Sequence, residues 1–378
     1  MEIKTVKLGE IAEFANGLNF DKSAYRAGVK IIGVSDFKDY SIPIIDSLAE
    51  VAIDAVKESA RLKENDIIFV RSNGNKDLVG RCMIIPHTSE KLYFSGFCIR
   101  CRFKNTIYAN PRYFLYLFKS PSFKRQLSNT SVGANIQNLS QSRLAMASVP
   151  LPTKEVQDKI ASILSAYDDM IDNCKAQIAL LEEAAQRLFR EWFVLGNVSQ
   201  IDWIEIPVTS VYDINYGKTL ATKFIQKSGK YPVYGSSKCI GYYSKKTVDD
   251  YKVLITSRGN AGKVHRTLHK ESFVTNNSFV VTPKAEFSYI PFSYIYYSFL
   301  AMDLQRIVNG SAQQQLTNAM LENVMIFLPD KDTLSKFGEL SDKYISEINT
   351  LHDIISFCNE AKSSLLPRLI SGQIEIKV

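Results

Sequence analysis

The sequence predicts an α+β fold made of two mixed α/β globular domains, each followed by one very long helix. Three features predict it: an internal repeat relating the two halves of the chain, a helical stripe of apolar residues in two long segments, and short β-branched and aromatic runs separated by Gly and Asn turns elsewhere. The first domain is assigned to residues 1–152, the first long helix to 153–193, the second domain to 194–329, the second long helix to 330–372 and a C-terminal tail to 373–378.

The length and composition are those of an ordinary folded protein with two or three domains. The chain has 378 residues, of which 46% are hydrophobic and 22% charged. No uncharged apolar run approaches the roughly 18 residues that span a bilayer, and the N-terminus lacks the basic and apolar regions of a secretion signal. Six scattered cysteines fit reduced thiols better than a disulfide framework. We therefore expect a cytoplasmic protein with no membrane partner.

The net charge of +7 is unevenly distributed along the chain. The two long helical segments together carry −5, so the remaining residues carry +12. Basic globular domains suggest a polyanionic partner, and nucleic acid is the commonest of these. An ordinary imbalance of surface charge explains the same number equally well.

Each long segment has apolar residues at intervals of three and four, as along one face of an α-helix. The first, from Glu155 to Trp192, has 38 residues and would be about 57 Å long at 1.5 Å per residue. It matches the second segment without a gap at an offset of 177, and Pro152 and Pro329 precede the two starts. The residues assigned to the core between the helices are Ile160, Ile163, Tyr167, Ile171, Ile178, Leu188, Phe337, Leu340, Tyr344, Ile348, Leu351, Ile355 and Leu365.

A helix this long with a narrow apolar face requires a partner of equal length, and the other long segment is that partner. We therefore expect the two helices to pack as an antiparallel intramolecular coiled coil with pseudo-two-fold symmetry. Two separate core helices of independent domains would leave the matched length and register unexplained.

The globular halves also correspond, although their loops differ in length. Gly17 matches Gly217 at an offset of 200. Further on, a strand followed by Arg71-Ser-Asn-Gly-Asn75 resembles a strand followed by Arg258-Gly-Asn260 at an offset of 187. Each of these loops precedes a glycine and a cation, Gly80-Arg81 in the first half and Gly262-Lys263 in the second.

The two loops combine Gly with Arg, Asn and Lys, the side chains that pair with guanine, adenine and phosphate in DNA complexes. A plain polar β-turn is the alternative for the same residues. Amide clusters before the last strand of each half either contact DNA or another subunit, or cap a turn. The candidate DNA-binding residues are Arg71, Ser72, Asn73, Asn75, Lys76 and Arg81 in the first half and Arg258, Asn260, Lys263, His265 and Arg266 in the second, and the amides are Asn135, Gln137, Asn138, Gln313, Gln314 and Gln315.

The sequence lacks the motifs that catalysis, metals and cofactors require. Cys98 and Cys101 form one pair without the second pair of a zinc site, and Gly262-Lys263 lacks the upstream glycine of a P-loop. No Asp/Asn-Pro-Pro-Tyr/Phe motif for amino methylation is present. We expect a non-catalytic chain with no catalytic residue, metal or cofactor of its own.

The order and duplication of these features resemble the DNA sequence-specificity subunits of type I restriction-modification systems. The resemblance rests on two variable domains that each precede a long helix, and on Ile-Phe-Val-Arg71-Ser-Asn-Gly-Asn75 with its repeat Ile-Thr-Ser-Arg258-Gly-Asn-Ala-Gly-Lys263. It rests also on Ala134-Asn-Ile-Gln-Asn-Leu-Ser140, followed by Val149-Pro-Leu-Pro152. The resemblance covers essentially the whole chain.

The resemblance implies that each globular domain is a target-recognition domain that reads one half of a bipartite, asymmetric sequence in double-stranded DNA. It implies that the helices act as a spacer, that two methyltransferase subunits dock beside them and that restriction and translocase subunits join the complex. S-adenosylmethionine, ATP and Mg²⁺ would then bind only to the partner subunits. Two other functions stay open: a catalytically degenerate methyltransferase or nuclease, and a coiled-coil nucleic-acid-binding scaffold unrelated to restriction.

Overall fold

The structure, a computed structural model, describes residues 4–37, 41–72, 78–129, 138–196, 202–308 and 315–376. The predicted mixture of helices and short strands is confirmed. None of the helices in these ranges combines the length and the apolar character that a membrane span needs.

The chain divides into two compact units. Unit 1 comprises Met1–Met170 and Phe357–Val378, and unit 2 comprises Ile171–Ser356. Each unit therefore contains one globular domain and a part of both long helices.

Small sheets and short helices form the first domain. Its strands are β1 (Lys4–Lys7), β2 (Ala12–Asn16), β3 (Val29–Ile32), β4 (Ala49–Val51), β5 (Ile67–Val70), β6 (Cys82–Ile84), β7 (Leu92–Phe94), β8 (Cys98–Phe103) and β9 (Ser148–Leu151). Its helices are α1 (Leu8–Ile11), α2 (Pro111–Lys119), α3 (Pro121–Asn129) and α4 (Gln141–Met146), and the long helix α5 (Lys154–Phe193) follows.

The strands of the first domain form a four-stranded sheet of order β2-β8-β5-β6, a three-stranded sheet of order β4-β3-β7 and the antiparallel pair β1-β9. Strand β5 is buried on both faces because its side chains alternate between two cores. Ile67 and Phe69 pack in a core with α2, whereas Ile68 and Val70 pack in a core with the three-stranded sheet.

The second domain repeats this plan. Its strands are β10 (Trp203–Pro207), β11 (Tyr212–Tyr216), β12 (Tyr231–Tyr234), β13 (Cys239–Tyr243), β14 (Val253–Thr256), β15 (Val264–Arg266), β16 (Phe273–Val274), β17 (Ser278–Pro283) and β18 (Met325–Pro329). Its helices are α6 (Val208–Val211), α7 (Phe292–Ala301) and α8 (Asn318–Leu321), and the long helix α9 (Lys331–Ile370) follows.

The sheet topology confirms the internal repeat. The orders β11-β17-β14-β15, β13-β12-β16 and β10-β18 correspond strand by strand to those of the first domain. The matched glycines mark one close backbone approach in both: a Cβ on Gly17 would lie 2.3 Å from the carbonyl oxygen of Phe94, and one on Gly217 would lie 2.4 Å from that of Val274. No side chain fits at either position.

Within unit 1, the two long helices run antiparallel. Val156 and Ile160 of α5 line one cavity with Leu369 of α9. Further along α5, Asp168 forms an ion pair with Lys362, which lies earlier in α9.

Within unit 2, the helices are likewise antiparallel. Ile178 shares a buried cluster with Leu351, while the ring of Phe193 lies 4.9 Å from that of Phe337. The antiparallel arrangement therefore holds in each unit taken by itself, and the pseudo-two-fold symmetry stays a prediction.

The predicted helix core is wrong at Leu340, which is 47% exposed. The apolar face passes through Ser341 and Ile345 instead, which are 0% and 4% exposed. Because Ser341 is polar, its position on the buried face is not recognisable from the sequence pattern. Its hydroxyl donates to the Phe337 carbonyl at 2.8 Å. Of the other predicted core residues, Ile160, Ile171, Ile178, Phe337, Ile348 and Leu351 are buried, and Ile163, Tyr167, Leu188, Tyr344, Ile355 and Leu365 are half-buried.

The segment after α9 packs onto unit 1. Ile374 and Ile376 contact its larger core, and the Ile374 amide donates to the Arg368 carbonyl at 3.2 Å. The part of the predicted tail that the structure describes, residues 373–376, is thus attached to the domain.

Candidate nucleic-acid interface

The first candidate loop begins where β5 ends. The Arg71 amide donates to the Phe97 carbonyl at 2.8 Å, and the Arg71 carbonyl accepts from the Leu139 amide at 2.8 Å. Ser72 and Asn138 form an isolated β-bridge. The fold therefore brings the predicted amide Asn138 next to the predicted residues Arg71 and Ser72.

The second candidate loop is held in the same way at the end of β14. The Ser257 amide donates to the Asn277 carbonyl at 2.8 Å, and the Ser257 carbonyl accepts from the Leu316 amide at 2.9 Å. Arg258 and Gln315 form an isolated β-bridge. A predicted amide again lies next to a predicted arginine.

These matching bonds correct the alignment of the two loops. The sequence offset of 187 pairs Arg71 with Arg258, whereas the hydrogen bonds make Ser257 the equivalent of Arg71 and Arg258 the equivalent of Ser72. Successive side chains of an extended segment point to opposite sides. The two arginines therefore occupy different positions in otherwise similar frames.

Both loops end on a glycine in the left-handed region. Gly80 and Gly262 each have φ of 83°, and their amides donate to the last residues of β5 and β14 at 2.9 and 2.8 Å. Between these anchors the first loop has nine residues and the second has five. The Gly-cation pairs at 80–81 and 262–263 are thus equivalent, as the sequence indicates.

The predicted side chains differ in exposure. Arg258, Asn260 and Lys263 are exposed, whereas Arg71 and Arg81 are half-buried. The guanidinium groups of the latter two lie 3.5 and 3.4 Å from backbone carbonyl oxygens of neighbouring segments. The second loop presents its polar groups to solvent, and the first holds its arginines against the domain.

Arg71 and Ser72 line a cleft of about 790 Å³ in the first domain. Two aromatic side chains at its rim, Tyr25 and Phe97, are 53% and 58% exposed. Asn138, which also lines the cleft, was predicted from the sequence, whereas Asn19 and Asp36 were not. A signal for Asn19 was its position two residues after the matched Gly17. The side chains lining the cleft include Asn19, Phe20, Tyr25, Asp36, Arg71, Ser72, Phe97 and Asn138.

Two predicted DNA-binding residues lie in strand β15, and for Arg266, which is in the interior, the prediction is wrong. Arg266 is 7% exposed, donates to Asn349 Oδ1 at 2.5 Å and lies 5.7 Å from the ring centroid of Tyr296. Its neighbour His265 is half-buried in β15, and burial lowers its pKa to about 4. Both residues belong to the paired strand β15, so they stabilise the domain.

The neutral state of His265 predicts a pH dependence of stability. The unfolded chain binds the proton with a pKa of about 6.5, whereas the folded pKa is about 4. This contribution to stability is therefore complete above pH 6.5 and is lost as the pH falls towards 4, by at most about 1.4 kcal/mol per pH unit. Urea unfolding at pH 7 and pH 5 should show a smaller loss for His265→Gln than for the unmodified chain, and equal losses would contradict this account.

Seven predicted site residues fall outside the described part of the chain, and their role stays a prediction. They are Asn73, Asn75, Lys76, Asn135, Gln137, Gln313 and Gln314.

Among the described residues, no group of three His, Cys, Asp or Glu side chains is placed to hold a metal ion. Cys98 and Cys101 lie in two different cores, since residues three apart in a strand point to opposite faces. The two thiols therefore do not converge on one ion. Burial also raises the pKa of Cys98 to about 12, so this thiol is protonated at neutral pH.

Both halves of the chain match one protein family. The sequence model of the family described as the type I restriction modification DNA specificity domain matches residues 1–183 and again residues 200–360. Each match contains one candidate loop and part of one long helix.

The chain is also similar to individual specificity subunits and to a solved structure. The Type I restriction enzyme MjaIX specificity subunit of Methanocaldococcus jannaschii is 23% identical over 311 residues, which cover 70% of this chain and 69% of that protein. The MjaVIII specificity subunit of the same organism is 21% identical over 88% of this chain and 84% of its own length. The crystal structure of the type I restriction-modification S subunit from M. genitalium aligns with a TM-score of 0.64 at 15% identity, covering 98% of this chain and 96% of that one; this last likeness shows the fold.

Proposed function

The chain belongs to the family of type I restriction-modification DNA specificity subunits, and we propose that each of its globular domains reads one half of a bipartite sequence in duplex DNA. One observation carries this proposal. The two domains share a backbone frame around the candidate loops, yet they present different side chains at equivalent positions, Arg71-Ser72 in one and Ser257-Arg258 in the other.

The two half-sites should differ in sequence. A symmetric dimer presents the same reading surface twice and so favours a palindromic target. Here the equivalent loops differ in length, in exposure and in the placement of their arginines. The asymmetry of the protein therefore predicts an asymmetric target.

We infer that the chain itself is non-catalytic and acts within a complex. Two methyltransferase subunits would dock beside the long helices, and restriction and translocase subunits would complete the assembly. The partners would then bind S-adenosylmethionine, ATP and Mg²⁺. Exposed apolar side chains on both helices support docking there, since Leu180 is 66% exposed and Phe357 is 69% exposed.

Arg71→Ala and Arg258→Ala should each relax selection in one half-site only, because the two arginines lie in different domains. A base-reading arginine contributes about 1–3 kcal/mol of discrimination at its own position. The measurement is binding selection from a randomised duplex library with each full-length variant, and Lys91→Ala, an exposed cation of the first domain outside the loops, is the control. Uniformly weaker binding to all sequences would show that the arginine contacts phosphate instead.

A further inference from the structure

We propose that Asn19 and Arg71, which both approach Gly96, form one specificity-determining site in the first domain, which takes the major-groove edge of a purine base. The proposal rests on the function proposed above and adds to it a residue, Asn19, that lies far from the candidate loops in the sequence.

The side chains of Arg71 and Asn19 both lie close to Gly96. The Arg71 Nη1 atom lies 3.5 Å from the Gly96 carbonyl oxygen. Asn19 also approaches this glycine, since a Cβ on Gly96 would lie only 2.1 Å from the Asn19 Oδ1 atom. The Gly96 amide donates to the Leu18 carbonyl at 2.7 Å, which ties the backbone beside Asn19 to this glycine.

The chemistry of this pair is that of base recognition. A guanidinium donates to the O6 and N7 atoms of guanine, and an amide pairs with N6 and N7 of adenine. Asn19 is exposed and Arg71 half-buried, and both line the same cleft of about 790 Å³. A base edge that enters the cleft would therefore meet both groups.

The second domain supports the proposal independently. Its Asn276 amide donates to the Lys218 carbonyl at 3.1 Å, as the Gly96 amide does to Leu18. The equivalents of Asn19, Arg71 and Gly96 are thus Thr219, Ser257 and Asn276, and the hydroxyl of Ser257 donates to the Asn276 carbonyl at 3.2 Å.

The backbone bonds of this site are kept in both domains, while all three side chains differ. Two domains with the same backbone can prefer different DNA sequences only if the side chains at equivalent positions differ. This site is such a position.

The test is binding selection from a randomised duplex library with four full-length variants. Asn19→Ala removes the amide, and Gly96→Ala displaces it, because the new methyl group occupies the place of the Asn19 side-chain end. Both should relax the same single base pair of one half-site, with discrimination falling about 5- to 100-fold. The control Asn105→Ala, an exposed amide outside the cleft that bonds to the Ile107 amide, should leave selection unchanged.

Asn19→Asp keeps the side-chain shape but loses the amide donors, so it decides the question if Gly96→Ala does not fold. Relaxation at the same base pair supports the proposal. Selection unchanged in the Asn19 variants, or affinity lowered equally for all sequences, would overturn it and leave the proposed function standing. A lack of sequence preference in the unmodified chain with its partner subunits would instead contradict the proposed function itself.

Discussion

Replacing Phe337 by alanine is expected to destabilise unit 2 by about 3–5 kcal/mol, the range for removing a large aromatic side chain from a packed core. Phe337 is 0% exposed, and the rings of Phe193, Trp192 and Phe189 lie 4.9, 5.8 and 6.1 Å from its own. These rings belong to α5, so the substitution leaves a cavity between the two long helices.

Both tryptophans of the chain, Trp192 and Trp203, lie in unit 2, so their fluorescence reports its unfolding in urea. The matched control is Leu340→Ala, on the same helix at a side chain 47% exposed, which should change the free energy of unfolding by less than about 1 kcal/mol. Equal losses for the two variants would contradict the assigned helix face.

Asp168→Ala is expected to destabilise unit 1 by about 2–4 kcal/mol, because it leaves a largely buried cation without its partner. The carboxylate forms an ion pair with Lys362, and the two side chains are only 24% and 18% exposed. It also accepts from the Tyr116 hydroxyl at 2.7 Å. Nearby, burial and the positive charge of Lys362 lower the pKa of Lys119, while the charge of Asp168 raises it. Removing Asp168 therefore leaves the repulsion between these two cations without the carboxylate that offsets it.

The control removes both charges at once. Asp168→Leu combined with Lys362→Met keeps the apolar volume and leaves no buried charge of the pair, so it should be closer in stability to the unmodified chain than Asp168→Ala is. Urea unfolding followed by circular dichroism provides the comparison. A double variant less stable than Asp168→Ala would show that the loss of stability comes from losing the ion pair itself and not from leaving a cation unpaired.

The long helices and the repeat could be read from the sequence because they follow from local periodicity. The apolar face of each helix, which includes Ile160 in the first and Phe337 in the second, is recognised from apolar residues spaced three and four apart. The observed helices Lys154–Phe193 and Lys331–Ile370 start and end within two residues of the assigned ranges. The pattern failed at Leu340 because a buried hydroxyl, that of Ser341, occupies the true core position.

The site was less predictable because it depends on long-range contacts. The partner of Arg266 is Asn349, 83 residues away, so no local pattern separates this buried arginine from an exposed DNA-binding one. The two candidate loops have similar compositions, so the sequence did not show that Arg71 and Arg258 differ by one position. Only the backbone hydrogen bonds fix this register. The approach of Asn19 to Gly96 is a third contact of this kind.

The most direct test of the account is methylation mapping by long-read sequencing in a strain that carries the chain with its partner subunits. Two domains that share one frame but differ at their reading positions predict a bipartite motif, with two unlike specific halves separated by a spacer of constant length and free sequence. Arg71→Ala should then alter one half and Arg258→Ala the other. A palindromic or continuous motif, or a single half-site altered by both variants, would contradict the central claim that each domain reads its own half of the target.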